Sequence, residues 1–387
     1  VRELGGVDIA KSEIIDILIR LGFKVTDNGE TLDVTSPSWR CDIDREPDLV
    51  EEVLRIHGYD KIVGEPLPKS SRDIVTGLSP MQKRIRMAKR QAAACGLREA
   101  VTWSFIPSSQ AQIFADLKPE LILDNPVSSD LDAMRPNLLP NLITAASRNN
   151  DRGIKNVALF EAGNQFSSDE PDGQDFVISG IRRGQKHERH WQKNPEDVNV
   201  YDAKADAISI LKAIGVNADN AQVVAEAPSW YHPGRGGVIR LGPKNVMAYF
   251  GEIHPTTLKK LDVKGPLVGF EIMLGNIPLP RPKRGNSRGP LKSSDFQSVE
   301  RDFAFVVTKD LAAEQLVKVI SSVDKKLIDN ISVFDIYQGA GIDDDKKSIA
   351  VNVRLQPVDK TMTDDEIEAF RQNVIATVTK KTGGILR

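Results

Sequence analysis

Apolar residues along the chain follow two rhythms, one near 3.6 and one of two, and their alternation predicts a mixed α+β protein. Ile14, Ile15, Leu18 and Leu21 recur at the spacing of one helix face, with Gly22 behind them as a stop. Residues 24–26 and 31–35 then alternate about Asp27, Asn28 and Gly29, which is hairpin chemistry. A second helix is predicted behind Asp44 as cap, with Pro47 in its first turn, Leu49, Val50, Val53, Leu54 and Ile56 as its buried stripe and Gly58 as its end. Helix, hairpin and helix together predict a small winged-helix-like unit over residues 1–64. Such units often bind DNA, but carboxylates opening the second helix would repel phosphates.

Residues 64–79 are rich in Pro, Ser and Gly and read as a linker. Behind it Ser79 and Pro80 start a helix whose Met81, Ile85, Ala88 and Ala92 share one side. Lys83, Arg84, Arg86, Lys89 and Arg90 crowd the others, as a solvated basic face, and Gly96 ends the helix. A strand is expected over 99–105. Apolar runs beginning at Val157, Phe176, Gly237, Ala248 and Leu267 predict strands of a large antiparallel sheet, with a helix over 202–214 between them. The result is an α+β core domain over 80–277, not a doubly wound one, and no strand leads into a glycine-rich dinucleotide or P-loop fingerprint. Residues 278–293 form a second linker carrying Arg281, Lys283, Arg284, Arg288 and Lys292, where phosphate contacts would be sought first. The final stretch, 293–387, runs β, α, β, β, α, β, the ferredoxin-like order. Its strands fall at 301–307, 328–337, 347–356 and 384–387, its helices at 311–323 and 364–379, and Thr363 with Glu366 forms a capping box.

The length of 387 residues accommodates two or three domains. A charged fraction of 27%, a hydrophobic fraction of 40% and a net charge of -2 carry no global bias towards nucleic acid or membrane, so any RNA contact has to be local. Cys41 and Cys95 stand alone in different predicted domains, which excludes a disulfide framework and points to a reducing cytoplasm. No apolar run is long enough to cross a bilayer, and the opening residues lack the layout of a secretion signal.

The densest chemistry lies at 37–60, PSWRCDIDREPDLVEEVLRIHGYD, where Asp42, Asp48, Glu51 and Glu52 gather about the start of one helix. Asp48, Glu51 and Glu52 share a face, and Asp42 can fold back towards it. Oxygen ligands without Cys or His suit magnesium better than zinc. The plainer reading is that acids at a helix N-terminus complement its dipole, with Glu51 pairing to Arg55. Other constellations are weaker. His187 and His190 lack a third ligand, residues 234–237 fit a glycine turn before a strand, and His232 and His254, each before Pro, fit local turn geometry.

The 37–60 string resembles the metal-carrying domain of the beta subunit of bacterial phenylalanyl-tRNA synthetases through Pro37, Ser38, Trp39, Arg40, Asp42, Ile43, Asp48, Leu49, Val50, Glu51, Glu52, Arg55, Gly58 and Tyr59. The resemblance continues in the runs beginning at Ala133, Leu159, Trp230 and Phe250, and in the final block through Phe296, Val299, Arg301, Asp302, Phe334, Asp335, Tyr337, Gly339 and the terminal Leu386 and Arg387. One departure is Gln297, where the family commonly has Pro. The resemblance implies a magnesium ion on Asp42, Asp48, Glu51 and Glu52, a class II synthetase-like core without catalysis, and a ferredoxin-fold anticodon-binding domain. It also implies an alpha subunit that carries the ATP site, a heterotetramer of two alpha and two beta chains, and tRNA(Phe) as the RNA partner. A working class II site needs arginines for the ATP phosphates. The run at 159–166 offers Glu161 and no Arg, and the strand holding Glu271 is followed by none, so the fold is expected to lack the chemistry. Because the resemblance begins mid-layout, the chain is expected to be the C-terminal part of a longer subunit. Two other functions stay open: a stand-alone RNA-binding adaptor, and an independent ATP-using ligase.

Overall fold

The computed structural model describes residues 1–64, 77–217, 221–279 and 293–387, so most of both expected linkers lies outside the described residues. The chain divides into two compact units, Val1–Gly77 and Leu78–Arg387.

In the first unit a short helix α1 (Arg2–Gly5) precedes α2 (Lys11–Arg20), the hairpin β1 (Lys24–Asp27) and β2 (Leu32–Thr35), and α3 (Glu46–His57). Ile17, Leu18, Phe23 and Val53 form the core, with Ile14, Leu21, Val25 and Val34 packed against it. The helix turns into the hairpin at Gly22, whose φ of 90° is open to a residue without a Cβ. The expected cap Asp44 is corrected: the N-cap of α3 is Arg45. Asp48 closes the helix end instead, accepting from the backbone N–H groups of Arg45 at 2.9 Å and Asp44 at 3.1 Å.

The second unit opens with α4 (Pro80–Ala94), whose Ser79 Oγ accepts from the Gln82 N–H at 3.2 Å while Gln82 Oε1 accepts from the Ser79 N–H at 2.8 Å. There follow β3 (Arg98–Glu99), β4 (Phe105–Ile106), α5 (Ser108–Phe114), β5 (Ala133–Met134), α6 (Leu139–Asp151), β6 (Val157–Phe166), β7 (Gln174–Arg183) and α7 (Val200–Ala213). Then come β8 (Gln222–Val224), β9 (Tyr231–Leu241), β10 (Asn245–Ile253), α8 (Pro255–Lys260) and β11 (Leu267–Met273). Seven of these strands form one sheet in the order β3-β6-β7-β11-β10-β9-β8, antiparallel except where β3 meets β6. On one face Ala88 and Ala92 of α4 and Ala207 and Ile210 of α7 pack on Phe160, Ile178, Phe270 and Ile272. On the other, Leu139, Leu142, Ile143 and Ala146 of α6 pack on Val157, Ile181, Tyr231 and Leu267.

Three expectations need correction. Arg84 is no part of a solvated face: it is 4% exposed, and its guanidinium donates to the carbonyls of Leu274, Ile277 and Pro278 at 2.6–2.9 Å, tying α4 to the end of β11. The strand expected over 99–105 is two short ones, because side chains take over the backbone after Ala100. The Thr102 N–H donates to Glu161, and the Trp103 carbonyl accepts from Asn141 and Arg135. Residues 234–237 lie inside β9 rather than in a turn. There Gly236 pairs with Gly251, and a Cβ on Gly251 would come within 2.9 Å of the Gly236 Cα.

The chain ends with β12 (Val299–Thr308), α9 (Ala313–Ser321), β13 (Ile328–Tyr337), β14 (Lys346–Leu355), α10 (Asp364–Thr382) and β15 (Ile385–Leu386). The sheet order β13-β14-β12-β15 is ferredoxin-like. Phe303, Phe305, Ile349, Val351 and Val353 face Leu316 and Ile320 of α9 and Phe370, Val374 and Val378 of α10. The Thr363–Glu366 capping box is present.

Candidate functional site

The four acids of the first unit are held in three different ways. Arg40 spans two of them: Nε and Nη2 donate to the Asp42 carboxylate at 2.9 and 2.7 Å, and Nη1 donates to Glu52 Oε2 at 2.8 Å. Arg55 adds two bonds to Glu52, at 2.9 and 3.2 Å. Glu52, 7% exposed, is therefore a buried carboxylate between two guanidinium groups. Arg55 first, and then Arg40, hold its pKa down to about 2. Arg40 likewise lowers Asp42, and the backbone donors of Asp44 and Arg45 lower Asp48. Glu51 is exposed and has no ion pair or hydrogen bond from its side chain among the described residues; Arg55 bonds its neighbour Glu52 instead of Glu51.

As placed here, the four carboxylates do not converge on one point. The place between Asp42 and Glu52 is held by a guanidinium, one Asp48 oxygen is committed to the helix end, and no group of three or more acid, His or Cys side chains among the described residues is placed to hold a metal ion. The structure brings Asp42 and Glu52 together through Arg40, and leaves Asp48 and Glu51 in other roles. His232 lies within β9 and not in a turn, whereas His254 caps α8. The Nδ1 atoms of His232 and His254 each accept from the N–H two residues on, at 3.1 Å, and His187 and His190 are exposed.

A second constellation lies on the α6 face of the seven-stranded sheet. Glu161 of β6, Ser179 of β7 and Glu271 of β11 stand side by side in register, and all are at most 3% exposed. Glu161 pairs with Arg135 at 2.8 Å, both side chains 4% exposed. It also accepts from the Thr102 hydroxyl at 2.6 Å, and Arg135 Nε donates to the Asn164 carbonyl at 3.0 Å. Gly163 makes room for this, since a Cβ there would lie 2.7 Å from Arg135 Nη2. Glu271 accepts from Asn137 Nδ2 at 2.5 Å, Trp230 Nε1 at 2.9 Å and the Tyr231 hydroxyl at 2.9 Å. Burial pushes its carboxyl up, against the pull of those three donors. The Ser179 hydroxyl between the two acids has no partner among the described residues.

Nucleotide chemistry needs unpaired positive charge facing phosphate oxygens in a cleft. This row holds two buried carboxylates, and its one arginine is already neutralised. Sequence reasoning missed Arg135, Asn137, Trp230 and Tyr231. The usable signal was an acid inside each of two apolar strands, which demands donors from elsewhere in the fold.

The Glu52 environment fixes a pH dependence. A carboxyl lowered on folding contributes stability above its unfolded pKa and loses it as pH falls towards its folded one. In the intact chain, the stability difference between wild type and Glu52→Gln is therefore expected to be full near neutrality and to shrink as pH falls from about 5 to about 2. Hydrogen exchange of the α3 amides reads it, and a difference that does not change with pH would contradict the Arg40–Glu52–Arg55 network.

Three family models match in sequence: tRNA synthetase B5 domain over residues 1–59, Phenylalanyl tRNA synthetase beta chain CLM domain over 67–274, and Ferredoxin-fold anticodon binding domain over 294–387. A Phenylalanine–tRNA ligase beta subunit from Mesorhizobium japonicum is 49% identical over all of this chain and 49% of its own length. The corresponding subunit from Paramagnetospirillum magneticum is 49% identical over all of this chain and 48% of its own, and that of Rhodospirillum rubrum 47% identical over the same shares. The chain thus spans about half the length of the curated relatives it matches. With a family model over residues 67–274 and relatives 47–49% identical along its whole length, this chain belongs to the phenylalanyl-tRNA synthetase beta chain family.

Proposed function

We propose that this chain is a non-catalytic part of a phenylalanine–tRNA ligase, working in the cytoplasm with an alpha subunit in an assembly of two alpha and two beta chains. Its working parts are a winged-helix-like domain over 1–64, a synthetase-like core over 80–277 and an anticodon-binding domain over 293–387. The observation that carries this reading is the buried row Glu161, Ser179 and Glu271, where a nucleotide would meet carboxylates. ATP and phenylalanine are assigned to the alpha subunit, and tRNA(Phe) to both. For the RNA contact, the ferredoxin-like sheet offers exposed Phe334 and half-exposed Tyr337, with the Arg387 guanidinium 5.3 Å from the Tyr337 ring, an aromatic and cationic surface suited to bases. Co-expression with an alpha chain is expected to give one large species in size-exclusion chromatography that binds tRNA(Phe). A chain that elutes alone yet binds RNA would favour the stand-alone adaptor.

Magnesium enters this proposal as a competitor. Asp42, Asp48, Glu51 and Glu52 are proposed to take the ion only by displacing Arg40, whose bonds to Asp42 and Glu52 are bonds the ion would have to replace. Magnesium titration of Arg40→Gln should then show tighter binding than titration of wild type. Equal affinities would contradict the competition, and binding by neither protein would remove magnesium from this domain.

A further inference from the structure

The ends of β3, β6 and β7 and the loop after β7 surround a cleft of about 340 Å³. Its lining carries four cations, Arg98, Arg182, Arg183 and Lys186, against a single carboxylate, Glu188, with His187 beside them. Part of this charge is already matched. Arg182 donates to Asp206 at 2.6 and 2.9 Å, and Lys186 Nζ lies 3.2 Å from Asp202 and 3.5 Å from Glu196. Glu188 is itself engaged, accepting from Asn156 Nδ2 at 3.1 Å.

Arg98 and Arg183 are different. Neither side chain has an ion pair or hydrogen bond among the described residues, and Nη1 of half-buried Arg183 is shut off from solvent without any acceptor there. A guanidinium nitrogen withdrawn from water normally has a partner, and an unmet one calls for an acceptor that the chain does not supply. Strand alternation explains the contrast between adjacent arginines: Arg182 faces α7 and finds Asp206, while Arg183 faces the other side of the sheet, where no acid meets it.

We propose that this cleft is a binding site for a phosphate group, held by Arg98 and Arg183 with His187 at its rim. Two free guanidinium groups match a phosphate better than a single carboxylate, because each can offer paired donors to adjacent anionic oxygens and together they balance two charges. Ile154, Val157, Leu159 and Val198 also line it, beside the amides of Asn149, Asn156 and Gln185, so the cleft offers both apolar and polar contacts to the phosphate's carrier. Its phosphate comes either from an RNA backbone or from a small free ligand, and the two sources are separable.

The test uses the intact chain as wild type, Arg98→Gln, Arg183→Gln and the double variant. Arg98 is exposed and unpaired, so its substitution keeps the test valid if Arg183→Gln folds poorly. Calorimetry with inorganic phosphate and anisotropy with tRNA at several salt concentrations are the readouts. A free-ligand site predicts phosphate binding that weakens about tenfold in Arg98→Gln and disappears in the double variant, with tRNA affinity unchanged. A backbone site predicts weaker tRNA binding and a salt slope reduced by about one for each arginine removed. If the variants change neither phosphate nor tRNA binding, the proposal is wrong.

Discussion

A carboxylate taken out of water has to be met by donors, and the second unit is built around two that are. Glu161 and Glu271 sit inside strands whose other residues are largely apolar, on the sheet face that α6 covers. Their partners come from far along the chain: Arg135 and Thr102 for one, Asn137, Trp230 and Tyr231 for the other. These bonds tie the segment before α6, the start of β9 and the broken strand at 100–104 to the sheet. Removing one partner of such a buried pair typically costs about 3–5 kcal/mol, because the other charge is left stranded. The network thus fixes positions more than it adds net stability.

The same face would have to open if the fold were to hold a nucleotide. Phosphates need cations, and here the cation on the row is matched while the flanking groups are anionic or neutral. The first unit repeats the logic on a smaller scale. Asp42 and Glu52 carry their own counter-ion in Arg40, so the charge balance that a metal would provide is supplied by the chain itself.

Much of the fold was legible because period-two apolar runs and capping residues act locally. The strand at 157–166, the strand at 328–337 and the Thr363–Glu366 cap follow from neighbours in sequence. What escaped was decided by distant partners. Arg84 looks like one more cation on a basic helix until the carbonyls of Leu274, Ile277 and Pro278, some 190 residues on, give it a reason to be buried. Asp44 was the better cap by residue type, yet Asp48 reaches back and leaves Arg45 at the N-cap. The acids at 42–52 were plain in the sequence, whereas their neutralisation by Arg40 and Arg55 depends on how the loop before α3 folds over it. Arg135 and Glu161 lie 26 positions apart, and no local spacing rule joins them.

The buried carboxylates and their donors make this sheet face part of the protein interior. The account stands on the sheet face being protein interior and not a nucleotide cradle. Titration calorimetry of ATP with magnesium into this chain tests it most directly. No binding at that face is the predicted result, and tight ATP binding abolished by substituting Arg135 would contradict it.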